Sequence, residues 1–99
     1  MKVNIQALHF NATEQLEEFI GKKVDKLTKH AGECENVEVV LKVTKPESAN
    51  NKEVSISMKF PGCELRANKI ADTFEESVDL CVDVLRRQIE KFKEKHANH

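Results

Sequence analysis

The sequence predicts an α+β fold: a two-layer β-α-β-β-β-α sandwich in which a four-stranded sheet carries both helices on one face. Three observations carry that reading. The stretch from Asp72 to Lys95 contains no Pro or Gly and spaces Phe74, Val78, Cys81, Val82, Leu85, Ile89 and Phe92 along one side of a helix. Period-two alternation recurs in four short runs, as in strands with one wet face. Pro61-Gly62 separates the last two runs as a tight turn, Pro presetting the first central φ and Gly tolerating the second.

The first strand is Met1 to Ala7, with Val3, Ile5 and Ala7 facing one way and Lys2, Asn4 and Gln6 the other. Thr13 is the expected N-cap of a helix running to about His30, and Gly32 is its stop. Asn11 competes as a cap, because Glu14 lies three residues after it. This helix buries Leu16, Phe19, Ile20, Val24 and Leu27, and Gly21 within it costs about 1 kcal/mol relative to Ala. Asn36 to Lys45 alternates with Val37, Val39, Leu41 and Val43 in phase, and a polar loop from Pro46 to Asn51 follows. Val54, Ile56, Met58 and Phe60 then mark the third strand. Cys63, Leu65 and Ala67 mark the fourth, and Asn68 to Ala71 leads into the long helix, about 36 Å at ~1.5 Å per residue. The expected core is Ile5, Leu16, Phe19, Leu27, Val39, Leu41, Ile56, Met58, Leu65, Val78, Leu85 and Ile89.

Ninety-nine residues make a single domain, 1–99, with a modest core. Sixteen Lys and Arg against 17 Asp and Glu leave a net charge of −1, so attraction to nucleic acid has to come from local segregation of charge. The three cysteines, Cys34, Cys63 and Cys81, are odd in number and lack CxxC spacing. They suggest neither a disulfide framework nor a metal site, and Cys81 reads as a small buried hydrophobe. No cofactor, metal or small-molecule substrate is implied. The absence of a signal peptide and of a long apolar run points to the cytoplasm and to no membrane partner.

The charges within each helix are sorted. Glu14, Glu17 and Glu18 precede Lys22, Lys23, Lys26 and Lys29; Asp72, Glu75, Glu76, Asp79 and Asp83 precede Arg86, Arg87, Lys91, Lys93 and Lys95. Matching of the helix dipole accounts for part of this. Topology adds the rest. A right-handed β1-α1-β2 crossover followed by two hairpins makes the two helices parallel, so both basic halves meet at one end of the domain. That basic pole comprises Lys22, Lys23, Lys26, Lys29, Arg86, Arg87, Lys91, Lys93 and Lys95. Lys23 falls inside the apolar stripe between Phe19 and Leu27, where a buried stem with a snorkelling amine is expected, aimed along the helix seam toward the basic pole.

With these residues in place the chain resembles the ribosome hibernation promoting factor family, also called ribosome-associated inhibitor A or sigma-54 modulation proteins. The resemblance spans nearly the whole chain. Asn4-Ile5 and Thr13, Glu14, Leu16, Glu18, Phe19, Lys23, Lys26 and Leu27 fit the family's first strand and helix. Val39-Val40-Leu41-Lys42-Val43 and Lys45 fit its second strand. Asp79, Leu80, Asp83, Leu85, Arg87-Gln88, Ile89, Lys91, Lys93 and Lys95 fit its last helix. The resemblance implies a domain similar to double-stranded RNA-binding domains that sits on the small ribosomal subunit. There it would contact rRNA in the channel otherwise used by mRNA and tRNA and inhibit translation. Position by position, it points to Lys23, Lys26, Arg87, Lys91, Lys93 and Lys95 as rRNA contacts. Glu75, where many relatives have an aromatic residue, and Val84, where they often have lysine, depart from the pattern. Ending at His99, the chain resembles the short members, which lack the C-terminal domain that lets long members pair ribosomes. This implies a monomer off the ribosome and leaves room for a separate ribosome-pairing factor as a partner.

Two other function classes stand beside this one. A protein-binding regulator would use the outer strip of Leu80 and Val84 or an edge strand. An enzyme finds little support: there is no supported Ser/His/Asp or Cys/His set, no Gly-rich phosphate loop and no metal spacing. His9 and His30 read as surface residues, and Asp79 and Asp83, one turn apart, as a solvated face.

Overall fold

A computed structural model describes residues 2–45 and 49–97, with side chains to Glu94. The element order is β1 (Lys2–Ala7), α1 (Glu14–Ala31), β2 (Asn36–Val43), β3 (Lys52–Phe60), β4 (Cys63–Ala71) and α2 (Phe74–Ala97). The sheet order is β1-β2-β3-β4, with β1 parallel to β2 and the other pairs antiparallel. In this register Ile5, Val39, Ile56 and Ala67 lie in one row across the sheet and Val37, Met58 and Leu65 in another. A one-residue slip would turn every one of those side chains to water. α2 lies over β3 and β4 and alongside α1. Leu16, Ile20, Val24 and Leu27 of α1 and Val78, Cys81, Leu85 and Ile89 of α2 join the sheet residues in one buried cluster.

Local chemistry sets the helix ends. Thr13 takes the cap in preference to Asn11: its Oγ1 accepts from the Leu16 amide at 3.1 Å. Gly32 closes α1 at φ +89°, ψ −99°, a backbone conformation that side-chain-bearing residues rarely adopt, and donates its amide to the Thr28 carbonyl at 2.9 Å. Thr73 caps α2 in the same way as Thr13, accepting from the Glu76 amide at 3.1 Å.

Several elements end elsewhere than the alternation suggests. β4 continues through Asn68, Lys69 and Ile70 to Ala71, where a connecting segment was expected. β3 supplies the reason: Lys52 and Glu53 extend it backwards, Lys52 to Ser55 pair with Ala71 to Asn68, and Asn68 Nδ2 donates to Ser55 Oγ at 2.5 Å. Asn68 lies on the wet face of this strand, whereas Lys69 shares the helix-facing side with Ala67 and Ala71, opposite Val54. β2 stops at Val43, two residues early: the Thr44 amide still donates to the Asn51 carbonyl at 2.9 Å, in register with the ladder, but the Lys45 carbonyl is taken by the Asn51 side-chain Nδ2 at 2.8 Å. Pro46, Glu47 and Ser48 of the expected loop lie outside the described residues. α2 begins at Phe74 rather than Asp72 and reaches Ala97.

The expected core is buried except at its margins. Ile5, Phe19 and Leu65 are half-buried, since β1 and β4 are edge strands and Phe19 faces the seam between the helices. Cys81 is fully buried, and its thiol donates to the Val54 carbonyl at 3.3 Å. Burial disfavours the thiolate and pushes the Cys81 pKa up to about 11, and desolvation likewise raises Cys34. A raised folded-state pKa stabilises the fold fully below the free thiol's value and loses that contribution as pH climbs toward the folded value, so Cys81 costs stability only in alkaline solution. Maleimide labelling at neutral pH is therefore expected to modify half-buried Cys63 and spare Cys34 and Cys81 until denaturant is added, with intact mass as the readout.

Candidate nucleic-acid interface

The side of the helical layer away from the sheet carries most of the charge. Both helices run the same way across the sheet, because the contacts between them advance in step. Phe10, ahead of α1, stacks on Phe74 at 5.3 Å; Lys23 then reaches Asp79 at 3.0 Å, and His30 lies 3.9 Å from Glu90. Parallel helices bring their lysine- and arginine-rich second halves to the same end of the domain.

Helical phase divides the cations into distinct places. At ~100° per residue, Lys22, Lys26 and Lys29 share the outward flank of α1, and Arg87 and Lys91 share that of α2. All five are exposed. Lys29 is held by Asp25 one turn back at 3.1 Å, whereas Lys22, Lys26, Arg87 and Lys91 make no ion pair among the described residues. Arg86 turns toward α1 and lines a groove of about 280 Å³ between the helices together with Lys23, Asp79 and Asp83. Lys93 lies at the far end, beside a cleft of about 490 Å³ formed with Gly32, Phe60, Pro61 and Phe92. The side chain of Lys95 is outside the described residues.

Lys23 departs from expectation. Its stem does lie along the apolar seam, with the amine 5.4 Å from the centre of the Phe19 ring, but the amine meets Asp79 in the acidic half of α2 and not the basic pole. Side chains on a helix lean toward its N-terminus, which carries a snorkelling amine back toward the acids. Asp79 has no sequence neighbour that marks it as this partner; only the packing of α1 on α2 selects it. The outer apolar strip is also narrower than expected. Leu80 is 40% exposed, while Val84 is half-buried against the core.

Arginine and lysine without internal partners on a convex helical face suit phosphate groups. The five Phe residues are all buried or half-buried, so the domain exposes no aromatic platform on which bases could stack. Among the described residues no group of three or more His, Cys, Asp or Glu is placed to hold a metal ion, and no helix is long and apolar enough to cross a membrane.

The family model for the Sigma 54 modulation protein / S30EA ribosomal protein matches residues 3–97. The chain belongs to this family. Relatives include a ribosome hibernation promoting factor of Pseudomonas putida, 32% identical over 95 residues, covering 96% of this chain and 89% of that protein. Another is the ribosome hibernation promoting factor of Escherichia coli K12, 30% identical over 99 residues with both chains fully covered. Among solved structures, a ribosomal subunit interface protein from Coxiella burnetii superposes with a TM-score of 0.85 at 23% identity, covering 95% of this chain and 99% of that one. The N-terminal domain of Thermus thermophilus Protein Y gives 0.76 at 21% identity, covering 93% and 99%. At such identities these structures speak to the fold, and it is the family's β-α-β-β-β-α arrangement that puts the two basic helix halves side by side.

Proposed function

We propose that this family member is a ribosome hibernation factor that binds the small ribosomal subunit through its basic helix halves, fills the decoding channel, and stops translation by excluding mRNA and tRNA. The observation that carries this reading is the convergence of two parallel basic helix halves on one exposed face of a chain whose net charge is only −1. The names of relatives that match nearly the whole chain support the ribosome as the partner. Lys22, Lys26, Lys29, Arg87, Lys91 and Lys93 contact rRNA phosphates from the helix surfaces, Lys23 and Arg86 do so from the groove, and Lys95 extends the array at the end of α2. Binding of this kind reads the shape of structured RNA rather than base sequence. No enzymatic step is needed: occupancy of the channel is itself the inhibition. The domain works in the cytoplasm, as a monomer when off the ribosome.

Sedimentation with purified small subunits across a salt series tests this. Phosphate contacts release counterions, so the association constant is expected to fall linearly on logarithmic axes by about 0.7–0.9 per contact made. A flat salt response would remove the rRNA reading. Docking of a protein partner through the α2 strip or an edge strand, the main alternative, predicts that flat response; with Val84 turned inward, Leu80 remains exposed on α2, and Val3 and Ile70 are exposed on the edge strands.

A further inference from the structure

We propose that Asp79 determines specificity for RNA: it holds Lys23 in the free domain and yields it only to a phosphate that reaches into the groove between the helices. This rests on the RNA-binding reading above and names one contact within it. The outward cations Lys22, Lys26, Arg87 and Lys91 have no internal counter-ion among the described residues, so any polyanion brushing the helix surface can engage them. Lys23 is different. Its amine is 3.0 Å from Asp79, with side-chain exposures of 37% and 53%, and the Phe19 ring beneath it limits where it can move.

The groove explains what can replace Asp79. Lys23 and Arg86 both line it, together with the carboxylates of Glu76, Asp79 and Asp83. A polyanion lying across the outer cations meets these three carboxylates, of which only Asp79 is paired with a lysine among the described residues, and gains nothing from Lys23. A backbone that projects a phosphate into the groove meets two cations, and Lys23 exchanges one anion for another. An exposed ion pair is weak enough for that exchange. Asp79 thereby lowers the affinity for RNA that lacks the matching shape and costs little with RNA that has it.

The test compares small ribosomal subunits with an unrelated RNA duplex as ligands for Asp79→Asn, Asp83→Asn and Lys23→Gln/Asp79→Asn, each checked by circular dichroism. Asp79→Asn is expected to tighten duplex binding roughly two- to fivefold and steepen its salt slope by about one, while binding to small subunits changes less. Asp83→Asn, which loses the same charge from the same groove but frees no paired cation, is expected to leave the slope unchanged. Lys23→Gln/Asp79→Asn is expected to lose the gain. Equal effects from Asp79→Asn and Asp83→Asn, or a gain that persists without Lys23, would reduce the effect to net charge and overturn the proposal. If Asp79→Asn leaves duplex binding unchanged while Arg87→Glu with Lys91→Glu still releases small subunits, this inference falls and the RNA-binding reading survives. If Arg87→Glu with Lys91→Glu sediments like wild type, both fall.

Discussion

Arg87→Glu combined with Lys91→Glu is expected to abolish co-sedimentation with small ribosomal subunits while leaving the fold intact. Both side chains are exposed on the outward flank of α2, one turn apart, and neither makes an ion pair among the described residues. Removing two phosphate contacts takes about two units from the salt slope, and near 0.1 M salt that is a loss of roughly 100-fold before any repulsion from the new carboxylates. Exposed substitutions away from caps and core usually change stability by less than about 0.5 kcal/mol, so circular dichroism and the melting temperature are expected to stay near wild type. Glu17→Lys with Glu18→Lys, in the acidic first half of α1, is the matched control, and binding is expected to be unchanged or slightly tighter. A folded Arg87→Glu/Lys91→Glu protein that pellets like wild type would show that the basic helix face is not the docking surface, and Leu80 would become the place to look.

Leu85→Ala is expected to have the largest effect on stability. Leu85 is fully buried at the centre of α2's stripe, within the cluster that also holds Val78, Cys81 and Ile89. Truncating a buried leucine removes transfer free energy and leaves a cavity, together about 2–5 kcal/mol. For a domain of this size that lowers the melting midpoint by roughly 10 °C or more. At temperatures where the variant remains folded, its affinity for small subunits is expected to match wild type, because Leu85 points away from the cations. An unchanged midpoint would mean that the stripe does not bear on the sheet.

Helix α1 carries its own start and stop as short-range chemistry in Thr13 and Gly32, and the uninterrupted apolar stripe marks α2 as one long helix, though its first residue is set by the Thr73 cap. Both are legible in the chain, as is the strand order once two hairpins and one crossover are counted. The cations of the candidate site were also legible, since sorting of charge along a helix is a one-dimensional property. The boundaries of β2 and β4 were not. Asn68 and Lys69 have poor strand propensity, and they become strand because β3 offers them partners; β2 ends short of Lys45 because the Asn51 side chain takes the Lys45 carbonyl.

The sequence by itself determined the element types, the parallel helices and the two-ended distribution of charge, because these follow from periodicity, caps and connection handedness. The tertiary structure alone decided which cations are unpaired. Lys23 and Asp79 are 56 positions apart, and whether the lysine's amine turns toward the basic pole or back toward an acid depends on the register of α1 against α2. Val84 likewise becomes half-buried only through its packing against the core. Helix-to-helix register is set by side chains interlocking across the seam, and no local pattern in either helix encodes it.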